Sequence, residues 1–354
     1  MIIHIFPQEK FTVPFIKFIN ENFHNKDHVF LVYGRHNAYD EKTVEKFNNI
    51  KYILDKSDKK TFIKYIKEGD KIILHSLYLF KWMFLYLLIN IKISKKCSWV
   101  IWGSDLYSHR LKKIRLKNML LELVKRSLAK RFEYIITLSK NDYKLAKDWY
   151  KVKGEYREGI YINPIKLKYL ENIKTSKERN NKKINIQIGN SADEDNMHLE
   201  ILDILSKYKD ENIMIYVPLS YGSKKYALEV KEYGERKFKD KFVAMLDFLD
   251  KNEYGKFLGE IDIAIFNNNR QQALGNIRAL AYLGTKIYMR NDTTMWTDFI
   301  SDGYKLNTIK ELENETFNEF IFNDNGKIVS NSNLSKSTFD EKEIACKWQK
   351  IFNY

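Results

Sequence analysis

Short runs of β-branched and aromatic residues alternate with segments whose apolar positions recur at helical spacing, along most of the chain. This rhythm predicts α/β layering on parallel strands, because a strand covered on both faces reads as a continuous apolar run and its crossover as an amphipathic helix. In the first half, strands are predicted at 1–6, 29–33, 51–54, 71–75, 97–102 and 134–138. Helices are predicted between them at 14–22, 59–67, 79–89, 114–129 and 140–150. The polar, Lys-rich stretch 164–183 reads as a linker. The alternation then restarts, with strands at 184–188, 212–218, 242–246, 261–266 and 286–289 and a sixth near Leu306. Helices fit 198–207, 224–238, 251–259, 276–283 and 294–301. A last amphipathic segment, 339–352, sets Ile344, Trp348 and Ile351 at helical spacing.

The pattern describes two Rossmann-like domains facing across a cleft: 1–163, then the linker 164–183, then 184–335. A C-terminal helix within 336–354 is placed to pack back on the first domain. In such folds ligands sit outside the carboxyl ends of the strands, so the loops that follow strands are where chemistry is expected.

Composition narrows the classes. The 354 residues include 44% hydrophobic and 30% charged side chains, the balance of a globular chain. Lys and Arg number 61 against 46 Asp and Glu, a net charge of +15 that favours anionic partners. Two cysteines, Cys97 and Cys346, exclude a disulfide scaffold or a Cys-rich zinc module and read as buried free thiols. The opening residues have neither the basic start nor the apolar length of a leader, and they read as a buried strand. The most apolar stretch, 77–93, contains Lys81 and Asn90 and falls short of the ~20 residues a spanning helix needs. A soluble or peripheral protein of a reducing compartment is expected.

Two loops of the second half are suited to an anion. Gly189, Asn190, Ser191, Ala192 and Asp193 follow a strand directly, and small residues let backbone approach a ligand ahead of a helix start near His198. Arg270, Gln271, Gln272, Ala273, Leu274, Gly275 and Asn276 follow another strand and converge on a helix N-terminus, with Asn276 also a good N-cap. The loop Asp247–Phe248–Leu249 reads either as a nucleobase contact or as a plain connection. In the first half, His75 ends one strand and Trp102, Gly103, Ser104, Asp105, Leu106 and Tyr107 follow the next. A base that takes an acceptor hydroxyl proton can be His or Asp, and Asp105 reads equally as a helix cap. No acidic pair stands in a convincing metal-binding context, so no metal and no cofactor are expected.

The span 110–131 holds nine basic residues and one acid, Glu122, threaded by Leu116, Met119, Leu120, Leu123, Val124 and Leu128. It reads as a core-facing helix with a solvated basic face, or as a helix lying on an anionic membrane. The aromatic segment 78–88, with Trp82, adds weight to membrane docking. Arg110, Lys112, Lys113, Arg115 and Lys117 would then meet the membrane or an acceptor, with Trp102 and Tyr107. No recognition helix, zinc or RNA motif supports nucleic acid as the partner.

Several of these segments occur together in one known family. Trp-Val-Ile-Trp-Gly-Ser-Asp-Leu-Tyr at 99–107, Ile-Gly-Asn-Ser-Ala-Asp at 188–193 with His198, Val-Pro-Leu-Ser-Tyr at 217–221, and Arg-Gln-Gln at 270–272 with Gly275 match in order and spacing. They resemble the TDP-N-acetylfucosamine:lipid II N-acetylfucosaminyltransferase family, the 4-acetamido-4,6-dideoxygalactose (Fuc4NAc) transferases of enterobacterial common antigen synthesis. The likeness covers roughly residues 70–300, including the segment 291–299 with Trp296. It implies a GT-B glycosyltransferase whose first domain takes a polyprenyl-diphosphate-linked saccharide and whose second takes a TDP-sugar, at the cytoplasmic face of the bacterial inner membrane. Gly189, Asn190, Ser191, His198, Tyr221, Arg270, Gln271, Gln272, Gly275 and Asn276 match its donor segments, and Asp105 matches its Trp-Gly-X-Asp-Leu-Tyr motif and is the candidate acceptor-side base. The chain departs from the family with Ala273 where a further glycine stands and Lys286 where a proline is common. The exact donor sugar and acceptor stay open, as do a GT-B-fold nucleotide-sugar epimerase and, more remotely, a basic nucleic-acid-binding protein.

Overall fold

The computed structural model describes residues 1–9, 11–34, 47–111, 116–163, 165–176 and 183–353, with side chains except at 25, 109–111, 116–118 and 251. The chain forms two compact units, Met1–Ile162 with Glu341–Tyr354, and Asn163–Asp340.

The first unit is built on seven strands: β1 (Ile2–Pro7), β2 (His28–Tyr33), β3 (Ile50–Ile53), β4 (Lys71–His75), β5 (Cys97–Val100), β6 (Tyr134–Thr137) and β7 (Glu155–Glu158). All pair in parallel, in the order β3-β2-β1-β4-β5-β6-β7. Alternate side chains point to opposite faces. Ile3, Ile5, Leu31, Ile72 and Leu74 therefore face one apolar layer, with Phe62, Met83, Leu87 and Leu128 from the covering helices. Ile2, Phe6, Phe30, Val32 and Ile73 face the other, closed by Phe15 and Ile19 and by Trp348 and Ile351 of the C-terminal helix Glu341–Phe352. Trp348 is fully buried and its Nε1 donates to the Ile160 carbonyl at 2.8 Å. Cys97 is buried, but Cys346 is exposed on that last helix, because its neighbours Ile344 and Trp348 take the inward face.

The second unit has six parallel strands: β8 (Ile184–Ile188), β9 (Ile213–Pro218), β10 (Phe242–Met245), β11 (Ile263–Phe266), β12 (Lys286–Met289) and β13 (Asn307–Thr308). Their order is β10-β9-β8-β11-β12-β13. The chain thus winds outward from β8 through β9 to β10, then returns to lay β11 on the other side of β8. Much of the stretch 164–183 is not a linker. Leu167–Ser176 is a helix whose Leu170 is fully buried in this unit's core, with Tyr169 and Ile173 packed beside it. Lys286 opens β12 with its Nζ donating to the carbonyls of Glu319 and Phe320 at 2.8 and 3.1 Å. It satisfies the end of the short helix Phe317–Ile321, which a proline there would leave unpaired.

Candidate active site

The winding of the second sheet reverses between β8 and β11, and at such a switch point the loops leaving adjacent carboxyl ends part to leave a crevice. The loop after β8 begins with Gly189 at φ +62°, a left-handed conformation that costs other residues roughly 1–2 kcal/mol. A Cβ there would also lie 2.5 Å from His198 Nε2 and 2.8 Å from Asn196 Oδ1, so only glycine fits. Asn196 staples the loop from inside. Its Oδ1 accepts from the Asn190 N–H at 3.2 Å, and its Nδ2 donates to the carbonyls of Ser191 and Asp193 at 3.2 and 3.1 Å. Asn190 Nδ2 donates to the Tyr221 hydroxyl at 2.7 Å, and the Ala192 N–H donates to the Tyr221 carbonyl at 2.8 Å. The loops after β8 and β9 are thereby one body.

Arg270, in the loop after β11, joins that body. Its Nε donates to Asp195 Oδ2 at 2.7 Å, a terminal nitrogen donates to Asp193 Oδ2, and the other donates to the Gln271 carbonyl at 3.3 Å. Burial works against its charge, but Asp193 and Asp195 more than compensate and hold its pKa above the ordinary value. Its guanidinium is thus paired with two carboxylates of the loop after β8 and ties the loop after β11 to it.

His198 is fully buried at the start of the helix His198–Leu205. The Tyr226 hydroxyl accepts from the His198 N–H and lies 3.3 Å from Nδ1, and Nε2 has no partner among the described residues. Burial pulls its pKa down to about 4, with Asp193 acting the other way. At neutral pH it is an uncharged imidazole whose Nδ1 bonds the Tyr226 hydroxyl and whose unpaired Nε2 lies beside Gly189.

Around this frame lies a concentration of unpaired amides. Gln187 Oε1, Asn190 Oδ1, Asn267 Nδ2, both amide atoms of Asn268, and Gln272 Nε2 are buried without a hydrogen-bond partner among the described residues. Leaving one such group unmade costs about 1–3 kcal/mol, so a cluster at one sheet edge marks a place where a ligand completes the bonding. Asn267, Asn268, Gln187 and Asn196 were not singled out from the sequence. The available signal was three successive asparagines, 267–269, directly after an apolar strand.

The next helix runs Leu274–Tyr282, so Asn276 is its third residue and not its cap. The cap position is Ala273, at φ +60° and without a side-chain bond to the first turn, whose N–H groups are thus left to an anion. Gly275 is held by Asn163, whose Nδ2 donates to its carbonyl at 3.0 Å. Gln271 is buried, while Phe248 and Tyr221 are exposed at the rim of their loops.

In the first unit the expected acceptor residues divide differently. Asp105 is fully buried. Its Oδ2 accepts from Trp99 Nε1 at 2.7 Å and the Leu77 N–H at 3.0 Å, and its Oδ1 from the N–H groups of Trp102 and Leu106 at 3.0 and 3.1 Å. This carboxylate ties the end of β4, β5 and the helix Ser104–Leu111 together, with two N–H donors on each oxygen. His75 is likewise fully buried, linked to His4 and to the Tyr161 hydroxyl. Trp82 is half-buried and lies edge-on to Phe62, and the Tyr107 hydroxyl donates to Asp142 inside the core. Trp102 is half-buried and donates to the Tyr161 hydroxyl at 2.9 Å.

Lys112, Lys113 and Arg115 lie outside the described residues, and Arg110 and Lys117 outside the described side chains. Within Leu116–Ala129, Lys125 is buried against Glu122 and Ser108, not solvated. Met119, Leu120 and Leu123 are exposed there, as are Leu85 and Ile89 on Lys81–Ile89 and Ile91 just beyond. No helix among the described residues is long and apolar enough to cross a membrane.

Two Rossmann-type units, the second with unpaired amides at its switch point, have the architecture of the GT-B glycosyltransferases. Solved structures of that fold superpose on nearly the whole chain. A glycosyltransferase from Rickettsia africae matches with a TM-score of 0.70 and 12% identity, covering 99% of this chain and 97% of its own. Anabaena HepE, solved in complex with UDP and glucose, gives 0.67 and 11%, covering 99% and 98%. WaaG, a glycosyltransferase involved in lipopolysaccharide biosynthesis, gives 0.60 and 9%, covering 99% and 98%. The sequence model of the 4-alpha-L-fucosyltransferases, glycosyl transferase group 56, matches residues 6–353, and the chain belongs to that family.

Proposed function

We propose that this glycosyltransferase moves an amino-deoxy sugar of the Fuc4NAc kind from a TDP-sugar to a polyprenyl-diphosphate-linked saccharide, at the cytoplasmic face of the bacterial inner membrane and without a metal. The cluster of unpaired amides at the β8–β11 edge carries the reading. Asn268 lacks partners on both Nδ2 and Oδ1, the complement of an acetamido group with its own N–H and carbonyl. With Arg270 paired to Asp193 and Asp195, the leaving diphosphate falls to the uncapped helix start at Leu274, with the His198 imidazole, when it carries its proton on Nε2, as a neutral donor nearby. HepE, of the same fold, was solved with a nucleoside diphosphate and a sugar, which supports a donor site of this kind. Exposed Leu85, Ile89, Leu120 and Leu123, with exposed Lys81, Lys92 and Lys95 nearby in sequence and a net charge of +15, support docking on an anionic bilayer.

The test is a transfer assay on the full chain with TDP-Fuc4NAc and a polyprenyl-diphosphate disaccharide, run with and without EDTA. Product in both runs supports the reading, and loss with EDTA rejects its metal-free part. Product from UDP-sugars instead replaces the donor. Conversion of the TDP-sugar without any acceptor points to the epimerase.

A further inference from the structure

Three histidines interrupt the apolar face of the first sheet that lies under Trp348. His4 of β1 alternates with Ile2 and Phe6, His28 opens β2 on the same side as Phe30, and His75 ends β4 in step with Ile73. All three are buried. They form one hydrogen-bonded column: His28 Nδ1 to His4 Nε2 at 3.0 Å, His4 Nδ1 to His75 Nε2 at 3.0 Å, and His75 Nδ1 to the Tyr161 hydroxyl. Neighbouring rings lie 5.3 Å apart at 29° on both sides of His4, with Phe30 stacked on His4 and Phe6 on His75. The column has two ends. His28 lines a cavity of about 490 Å³ at the amino ends of the strands, with His24, Asp27, Asp70 and Lys71. Tyr161 stands at the carboxyl end, half-buried, where ligands of such sheets bind.

An indole N–H only donates, so the Tyr161 oxygen accepts from Trp102. Its second lone pair and its own proton leave two consistent polarities for the column. In the one that points the phenol proton to His75 Nδ1, every later junction has one donor and one acceptor only if His75, His4 and His28 all carry the proton on Nε2, with His28 Nε2–H at the far end. A column of imidazoles in an apolar layer is costly compared with phenylalanines of similar size, and packing alone does not call for it. Burial holds the pKa of His28 down to about 4 and those of His4 and His75 well below the ordinary value, with Asp27 acting the other way on His28. The column therefore stores no proton but can pass one.

We propose that Tyr161, His75, His4 and His28 form a proton relay across the first sheet, which carries the proton lost by the acceptor hydroxyl to the cavity at the amino edge. The role rests on the reading of the first unit as the acceptor side. As the acceptor oxygen bonds the anomeric carbon, the carbon–phosphate oxygen bond breaks and its electron pair leaves with the nucleoside diphosphate. The hydroxyl proton passes to the Tyr161 oxygen, and the phenol proton to His75 Nδ1. The His75 Nε2 proton moves to His4 Nδ1, the His4 Nε2 proton to His28 Nδ1, and the His28 Nε2 proton to cavity water. Each member starts and ends neutral. After product leaves, a proton returning from the cavity by the same path, with Tyr161 releasing its own to solvent, restores the starting tautomers, so the column takes up the acceptor's proton only while the bond forms. Buried His75 and His4 act only through Tyr161.

The experiment pairs histidine ¹⁵N NMR of the wild-type full chain with transfer kinetics in H₂O–D₂O mixtures. The relay requires three neutral Nε2–H imidazoles with nitrogen–nitrogen couplings across both histidine junctions, and a bowed dependence of kcat on deuterium content. His4→Phe, which keeps a ring against Phe30, should lower kcat at least tenfold, leave both KM values within twofold, and make that dependence linear. Tyr161→Phe should do the same and serves if His4→Phe does not fold. A wild-type kcat with an unchanged isotope dependence in a folded variant overturns the relay, and so does an Nδ1–H tautomer at any of the three histidines beside normal turnover. Failure of the wild type on every lipid-linked acceptor, with the tautomers as required, overturns instead the acceptor reading and the role built on it.

Discussion

Arg270 spans the switch point to reach Asp195, Nε to Oδ2 at 2.7 Å, and so makes the loop after β11 a support for the loop after β8. Replacing it with Ala strands Asp193 and Asp195 as uncompensated neighbours. Breaking a buried pair this way costs about 3 kcal/mol. We expect Arg270→Ala to lower the urea midpoint and weaken nucleotide binding together, and the double variant with Asp195→Asn to recover part of both. Full stability with lost turnover would return Arg270 to the diphosphate.

Gly189→Ala is expected to unfold the donor loop. It meets a left-handed backbone and two side-chain atoms closer than a Cβ tolerates. Thermal melts should show a loss of about 2 kcal/mol or more, and added TDP should no longer raise the midpoint.

The family's missing glycine has a measurable consequence. Ala273 holds φ +60°, at a conformational cost of roughly 1–2 kcal/mol that glycine avoids, less about 0.5–1 kcal/mol for glycine's greater freedom when unfolded. Ala273→Gly should stabilise the chain by about 0.5–1 kcal/mol in urea titration.

His198 makes stability depend on pH. Its folded pKa of about 4 lies below the free value of 6.5, so the unfolded chain binds the proton first. The stability is fully present above pH 6.5 and is lost as pH falls toward 4. Between pH 7 and 5 this single group accounts for about 2 kcal/mol. His198→Gln should flatten the stability curve across that window by about this amount, and an unchanged slope counts against the buried neutral imidazole.

Asp105→Asn separates a structural carboxylate from a base. Both oxygens accept two N–H donors each, and an amide turns an NH₂ toward one of those pairs. We expect a loss of about 2–3 kcal/mol in stability, with transfer recovered where the fold is stabilised. An intact fold with abolished transfer would restore Asp105 as the base.

Much of this architecture was legible because parallel strands covered on both faces announce themselves as apolar runs. β4, β8 and β12 fall at the residues read from the sequence. β7 escaped because it is an edge strand, Glu155-Tyr156-Arg157-Glu158, and edges carry charge. The helix Asn325–Ser337 escaped for a related reason. It packs through Asn331, Ser332 and Ser335, with Ser332 donating to the Tyr282 carbonyl at 2.9 Å, so no apolar period marks it.

In the candidate site, small residues and Arg270 drew attention to the loops after β8 and β11, because loop chemistry is local in sequence. What Arg270 binds was not legible, since its partners lie on another strand's loop. His4 and His28 were overlooked because each looks isolated. Only the register that sets Ile2 against His28 and His4 against Ile73 brings them into one column with His75.

The helix Glu341–Phe352 has a consequence for biosynthesis. Trp348 and Phe352 close the histidine face, Phe352 lying 4.7 Å from the His28 ring, yet the whole of Asn163–Asp340 is translated first. At roughly 5–20 residues per second, the ribosome spends on the order of 10–35 s between the first sheet and its lid. In every nascent molecule that face stands open to water, and to whatever chaperone attends it, until Glu341–Phe352 emerges.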